Sequence, residues 1–338
     1  MPFDVFMDVA LYDPEAGFYA TGHGAGRAGD FLTSPEVGPL FGAVVARAAD
    51  VWWDRLGRPE RFTVVEAGAG AGTLARDVRA GRPRCADSLV QVLVERSPAL
   101  RDLHPERVPV EAGAVVSLAE MPAEPVVGVV LANELLDNLP FLLLERGDGT
   151  WCEVRVGDDG GALTEVLVPA TPELADEADR LAPGAAPGAR VPLQHIAAEW
   201  LRDALALVDR GRVVVIDYAD TTPSMAGRPW SEWLRTYRGH GRGRHPLEAP
   251  GDQDVTAEVA VDQLAHVRPP DRERSQAEFL AEHGIDELAA AAAEEWRARA
   301  HVGDLAALKA RSRAGEADAL TDPVGLGAFR VLEWVVGE

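Results

Sequence analysis

Cysteine is almost missing from this chain: two occur in 338 residues, Cys85 and Cys152. They lie far apart and form no C-x-x-C, which argues against a disulfide framework and a cysteine-built zinc site. The eight histidines contain no H-E-x-x-H or comparable cluster, so no metal is expected. No apolar run reaches the length needed to cross a bilayer. Met1-Pro2-Phe3-Asp4 sets no basic segment ahead of a hydrophobic one, so neither an export nor a transit leader is expected, and the cytoplasm is the natural compartment. Bases are scarce as well, 33 against 55 acids, giving a net charge of -22. Such a surface repels nucleic acid and anionic membrane, and neither is expected as a partner. A cationic partner fits better, although solubility alone also accounts for the charge.

What is present is ample apolar material, 47% of the residues, enough for a real core over this length. The stretch Val64-Val65-Glu66-Ala67-Gly68-Ala69-Gly70-Ala71-Gly72-Thr73-Leu74 reads as a buried strand, an acidic residue, three alternating glycines and the start of a helix. In the dinucleotide fingerprint a third glycine stands three residues after the second; here Thr73 holds that place. E-x-G-x-G-x-G instead resembles the pattern of methyltransferases that use S-adenosylmethionine, which has no pyrophosphate to hold at a helix N-terminus. Glu66 is placed to take the amine or cationic end of that cofactor, with Gly68, Gly70, Gly72, Thr73 and Leu74 around it. An ordinary Gly/Ala-rich turn is the competing reading.

Apolar residues at helical spacing from Phe3 to Leu11 predict a short N-terminal helix ended by Asp13-Pro14. Residues 22–36 are too rich in glycine for regular structure and read as a loop that approaches a ligand. Ser34 before Pro35 and Glu36 predicts an N-cap for a helix running to about Arg55. Asp30 and Thr33 in that loop are candidates for the site, or serve local turn hydrogen bonds. Leu89 to Val94 is a buried parallel strand ending in Glu95, placed to accept from ribose hydroxyls, or to cap the helix opening at Ser97-Pro98. Val126 to Leu131 runs into Asn133-Glu134, polar residues at the carboxyl edge of a strand, where open α/β sheets hold ligands. Capping of the next turn is the alternative there.

Farther on, Phe141–Leu144, Trp151–Val156 and Leu163–Val168 predict a strand and a hairpin. Thr171–Leu181 and Gln194–Val208 predict helices, and Arg212–Ile216 another buried strand ending in Asp217-Tyr218. Residues 219–254 read as an insertion with a basic, aromatic island around Trp233 to His240. Helices are expected at 276–281, 285–293 and 294–311, and a closing strand at 329–335. Together these predict one α/β domain: a mostly parallel sheet with helices on both faces, residues 1–55 as a covering segment, and residues 56–338 as the body.

Several stretches jointly resemble the MidA-like S-adenosylmethionine-dependent methyltransferases, whose mitochondrial members are known as complex I assembly factors and protein arginine methyltransferases. The resemblance rests on FMDVALYDPEAGFY (6–19), GDFLTSPE (29–36), Leu40-Phe41-Gly42, Glu66–Leu74, VERSPALR (94–101), NELLDNLP (133–140), Asp217-Tyr218, LRTY (234–237) and DVTA (254–257). Ala69 and Ala71 stand where the family usually has proline and arginine, Leu135-Leu136 where it has an aromatic pair, and Ala219 where it has glycine. The resemblance implies a Rossmann-like class I methyltransferase fold and S-adenosyl-L-methionine as cofactor, with Thr33, Pro35 and Asn133 among the residues that hold it. It implies a methyl acceptor on a protein, arginine in particular. Glu134 is then the residue that orients the guanidinium, with Asn133 and Asp137 beside it and Asp30 facing it across the cleft. A small-molecule acceptor, or a noncatalytic assembly protein keeping the fold, are the other readings, and monomer and homodimer both stay open.

Overall fold

The computed structural model describes residues 1–20, 33–108, 114–239 and 241–337. Seven strands make the main sheet: β1 (Phe62–Ala67), β2 (Leu89–Val94), β3 (Val115–Leu118), β4 (Val126–Asn133), β5 (Val208–Asp217), β6 (Arg272–Ser275) and β7 (Arg330–Val336). Their spatial order is β3-β2-β1-β4-β5-β7-β6. β1 to β5 pair in parallel, while β7 runs antiparallel to both β5 and β6. The chain turns from one half of the sheet to the other between β1 and β4, which is where such sheets open a crevice at their carboxyl ends.

Of the helices, α1 (Phe3–Tyr12), α2 (Ser34–Val37) and α3 (Pro39–Arg55) precede the sheet, and α4 (Thr73–Ala80) follows β1. α5 (His195–Leu207) leads into β5, while α6 (Val261–Val267) and α7 (Gln276–Glu282) flank β6. α8 (Ile285–Arg299) and α9 (Leu305–Thr321) pair before β7. The strands are apolar at successive positions because both faces are covered. Val64, Val129, Leu131, Val214 and Ile216 pack with Phe41 and Trp52 of α3 and Phe279 of α7. Their neighbours Val65, Val130, Val213 and Val215 pack with Leu201 and Leu207 of α5 and Leu264 of α6. Each such side chain, fully buried, contributes about 1.5–3 kcal/mol.

Backbones approach closely where Thr63, Gly128 and Gly211 stand side by side in register on β1, β4 and β5. Gly128 has φ 152°, and a Cβ there would lie 1.9 Å from the Thr63 carbonyl oxygen. Gly128→Ala is expected to cost about 3 kcal/mol, through overpacking that neither neighbouring strand can relieve. A fall in the midpoint of urea unfolding measures it; an unchanged midpoint would mean the strands part freely.

The expected fold class is observed, with differences at particular elements. The helix expected from Ser34 to about Arg55 is two helices, because Pro39 brings no N–H and Gly38 is extended between them. The break expected near residue 293 falls instead at 300–304, where Gly303 has φ 64° and the Asp304 side chain caps α9 by accepting from the Ala307 N–H. The strand and hairpin after β4 are joined by Arg190–Leu193 into a separate four-stranded antiparallel sheet. α1 lies on that sheet, burying Phe3, Phe6 and Met7 with Phe141, Val154 and Val156. Within the segment expected as an insertion, the described residues form a short helix, Thr222–Ala226, and the strand Leu234–Arg238, which pairs with Gly241–Arg242 on one side and with Asp254–Ala257 on the other.

Candidate active site

At the carboxyl end of β1, Glu66 is buried and the chain enters the glycine loop. Gly68 (φ 71°) and Gly72 (φ 82°) are in the left-handed region, and a Cβ would press on Leu135 at 2.9 Å in the first case and on Val108 at 3.0 Å in the second. Gly70, between them, has nothing within 4 Å of where a Cβ would stand. Its backbone is held from both sides. The Gly70 N–H donates to Glu95 Oε2 at 2.9 Å, and the Gly70 carbonyl accepts from His104 Nε2 at 2.8 Å. His104 must then take its other bond as an acceptor, from the Ser117 hydroxyl at 2.8 Å. Burial holds its pKa below the usual value, as a neutral ring in that role requires. The other oxygen of Glu95 accepts from the Ser97 N–H at 2.7 Å, so Glu95 both ties down the loop and closes its own turn.

Around this loop lies a cavity of about 530 Å3. Glu66, Gly68, Gly70, Thr73, Leu74, Glu95, Thr33, Pro35, Asn133 and Glu134 all line it; Gly72 does not, and shapes the loop from behind. Tyr12, Tyr19, Glu36, His104 and Arg96 are not among the site residues expected from the sequence. Of these, all but His104 face the cavity, with the Arg96 guanidinium 4.5 Å over the Tyr12 ring. Thr73 donates to Glu36 Oε1 at 2.5 Å, tying α4 to α2. Asp30 lies outside the described residues.

A second cavity, of about 720 Å3, shares Glu134 and Asn138 with the first. Its walls include Asp137, Tyr218, Asp254, Thr256 and Phe329, and its rim Asp220, Glu258, Arg228 and Arg235. The two rim arginines are spent on the rim acids: Arg228 pairs with Asp220 and Glu258, and Arg235 with Glu258 at 3.0 Å. Inside, Tyr19 and Asn138 both donate to Asp254 Oδ1, at 3.2 and 3.0 Å, and form the wall between the cavities. Asp137 Oδ2 accepts from Tyr218 and Thr256, at 2.7 and 2.8 Å. Asp217 accepts from the Leu136, Asp137 and Tyr218 N–H groups and so fixes the turn that carries Asp137.

Glu134 joins the two spaces. It has φ 52°, a left-handed conformation that costs a non-glycine residue about 1 kcal/mol or more. Its Oε1 accepts from the Ser34 N–H at 2.8 Å and from Asn133 Nδ2 at 3.1 Å. Burial, with Asp137 nearby, pushes its carboxyl up to about 8 despite those donors. Burial likewise raises Glu66 to about 8, with Glu95 adding repulsion, and Asp254 to about 7, with Asp137 adding to it. The folded state therefore holds protons on these groups that the unfolded chain releases in the ordinary carboxyl range. Their contribution to stability is full at acidic pH and is lost as pH rises through about 7–8. In the ligand-free protein Glu66→Gln is expected to remove part of that loss and to raise stability at pH 8.5 by on the order of 1 kcal/mol or more, with little change at pH 5. Thermal midpoints at the two pH values check it, and an equal shift at both would refute the burial argument.

The residues suit S-adenosylmethionine. The glycine loop leaves room for backbone approach, two carboxyls can meet the amine and the ribose, and Met121, Leu139 and Trp200 give the cavity an apolar side for a base. Asn133 Oδ1 is buried with no partner, an acceptor awaiting a donor. No group of side chains suited to a metal, and no helix long and apolar enough to cross a membrane, occurs among the described residues.

A doubly wound sheet with a glycine loop after β1, an acid after β2 and a polar edge after β4 defines a class I methyltransferase that uses S-adenosylmethionine. The model of a family of S-adenosyl-L-methionine-dependent methyltransferases matches residues 44–275, and the chain belongs to that family. A superfamily member from Burkholderia thailandensis, bound to S-adenosyl-homocysteine, matches the whole chain and 88% of its own with a TM-score of 0.85 at 28% identity. The mitochondrial protein arginine methyltransferase NDUFAF7 of Mus musculus is 30% identical over 331 residues, 83% of this chain and 70% of its own length. Its Drosophila melanogaster homologue is 28% identical over 302 residues, 79% of this chain and 66% of its own, so the chain spans about two thirds of these relatives.

Proposed function

We propose that this methyltransferase acts on an arginine side chain of a protein. The observation that carries the reading is the second cavity. It meets the cofactor cavity at Glu134, and its inner carboxyls, Glu134, Asp137 and Asp254, have no cation paired with them among the described residues. A guanidinium would supply that charge, and its planar set of N–H donors suits carboxylate oxygens on more than one side. The names of the curated relatives support the same acceptor.

When bound, S-adenosylmethionine supplies a methyl group on a positively charged sulfur, so strong acid or base chemistry is not required of the protein. The chain's task is alignment. Glu66, Glu95 and the glycine loop hold the donor, and Asn133 fixes Glu134 from one side while offering its unpartnered oxygen to the cofactor cavity. Glu134, with one oxygen locked, orients the guanidinium with the other. Asp137, braced by Tyr218 and Thr256, shapes the wall behind it. Two unpaired cysteines, Cys85 and Cys152, keep the cytoplasm as the proposed compartment.

A small-molecule acceptor is the second reading, favoured by the volume of the cavity, which falls in the range of small-ligand sites. Incubation with methyl-labelled cofactor and a dialysed lysate separates the two. Label in the protein fraction supports the first reading; label appearing only when the dialysable fraction is restored supports the second.

A further inference from the structure

α2 is only four residues long, yet it lines the cofactor cavity and holds Glu134, the residue that borders both cavities. Thr33, Pro35 and Glu36 line the cofactor side, and the Ser34 N–H grips Glu134 on the boundary. Such a short helix cannot hold a position by itself. What holds it lies behind, in residues that face neither ligand. The Ser34 hydroxyl donates to Gln276 Oε1 at 3.0 Å, and both residues are fully buried. Gln276 Nε2 donates to the Leu320 carbonyl at the end of α9, at 3.2 Å, and its backbone N–H to the Phe329 carbonyl at 2.7 Å. Phe329 and Leu326, which close the stretch after α9, line the second cavity. A fourth tie comes from Glu316 of α9, buried, whose Oε2 accepts from the Leu40 N–H at the start of α3.

We infer that Gln276 is a positioning residue for methyl transfer: through Ser34 it sets Glu134, and through Leu320 and Phe329 it sets the rim of the second cavity against it. Gln276 occupies the first position of α7, where its own N–H would otherwise lack an intrahelical partner. An amide suits the task because it accepts from Ser34 and donates to Leu320 at once. An apolar side chain of the same length would fill the space and carry neither bond. The rest of α2 would stay attached, since Glu36 still holds Thr73. The effect should therefore fall on Glu134 and spare the cofactor cavity. The inference rests on the role given to Glu134 above.

Gln276→Met and Ser34→Ala are the variants, with methyl-labelled cofactor and dialysed lysate protein as the probe and labelled methylarginine as the readout. Both are expected to bind S-adenosylmethionine within about threefold of the wild type and to transfer methyl about tenfold more slowly at neutral pH. The double variant should be no slower than the worse single one, since both act through one line. The pH profile distinguishes this from loosened packing. With the Ser34 N–H less well held, Glu134 gives up its proton at higher pH. The rising limb of activity should move upward, and the deficit should shrink between about pH 7 and 9.5. Wild-type transfer in Ser34→Ala, multiplying defects in the double variant, or an unmoved limb would each overturn the inference. Should Glu134→Gln keep full transfer, the function assigned to Glu134 fails first, and the two failures are told apart. Thermal melts of each variant identify any that does not fold, and Ser34→Ala, which removes one hydroxyl, then carries the test.

Discussion

Glu134→Gln is expected to bind S-adenosylmethionine within about threefold of the wild type and to lose methyl transfer by about a hundredfold or more. The amide keeps the side-chain length and can still accept from Ser34 and Asn133 through its oxygen, so the boundary between the cavities should hold. What it removes is the negative charge proposed to face the acceptor. Losing one preorganised, water-shielded electrostatic contact in a transition state costs about 3–4 kcal/mol in comparable sites, which is two to three powers of ten in rate. Stability should not fall, because the neighbouring Asp137 no longer faces a second carboxyl. Calorimetric titration with the cofactor and initial rates of transfer give the two halves of the result. Equal loss in both would turn Glu134 into a cofactor residue, and loss in neither would remove it from the mechanism.

The second large effect is expected at the opposite end of the cofactor cavity. Glu95→Ala leaves the Gly70 and Ser97 N–H groups without their acceptor and takes away the carboxylate proposed to meet the ribose hydroxyls. Charge-assisted hydrogen bonds of this kind are worth about 1.5–3 kcal/mol each, so affinity for the cofactor should fall about a hundredfold. The acceptor side is untouched, and transfer at saturating cofactor should recover to within about tenfold of the wild type. This is the reverse of the Glu134 pattern. The same titration read beside a rate curve in cofactor concentration decides it; unchanged affinity would reduce Glu95 to a turn residue, the alternative its position before Ser97-Pro98 always allowed.

Both residues were legible in the sequence for one physical reason. A strand buried on both faces is mostly apolar, so a charged or amide side chain at its end marks the sheet's carboxyl edge, as Glu66 near the end of β1, Glu95 just after β2 and Asn133-Glu134 at the end of β4 do. Spacing also separated the glycine loop from a dinucleotide motif. The rest was hidden for reasons just as physical. β6 reads Arg-Glu-Arg-Ser, with no apolar pattern, because its Arg274 is buried against Glu333 of β7, a pairing far along the chain. His104 holds Gly70 from 34 residues away, Tyr19 reaches Asp254 across 235, and Ser34 reaches Gln276 across 242. No local periodicity carries such contacts. The insertion looked irregular because its strands are short, and the longer of them, Leu234–Arg238, finds a partner in Asp254–Ala257, which begins at the expected end of the insertion and runs past it.

The central claim is that the carboxyl-lined cavity beside the cofactor takes an arginine side chain. The most direct measurement is amino-acid analysis of lysate proteins methylated by the purified enzyme from methyl-labelled S-adenosylmethionine, with the Glu134→Gln protein run in parallel. Label recovered as methylarginine with the wild type, and absent with the variant, is the predicted result. Label recovered on another residue, or methylarginine formed equally by the variant, would contradict it.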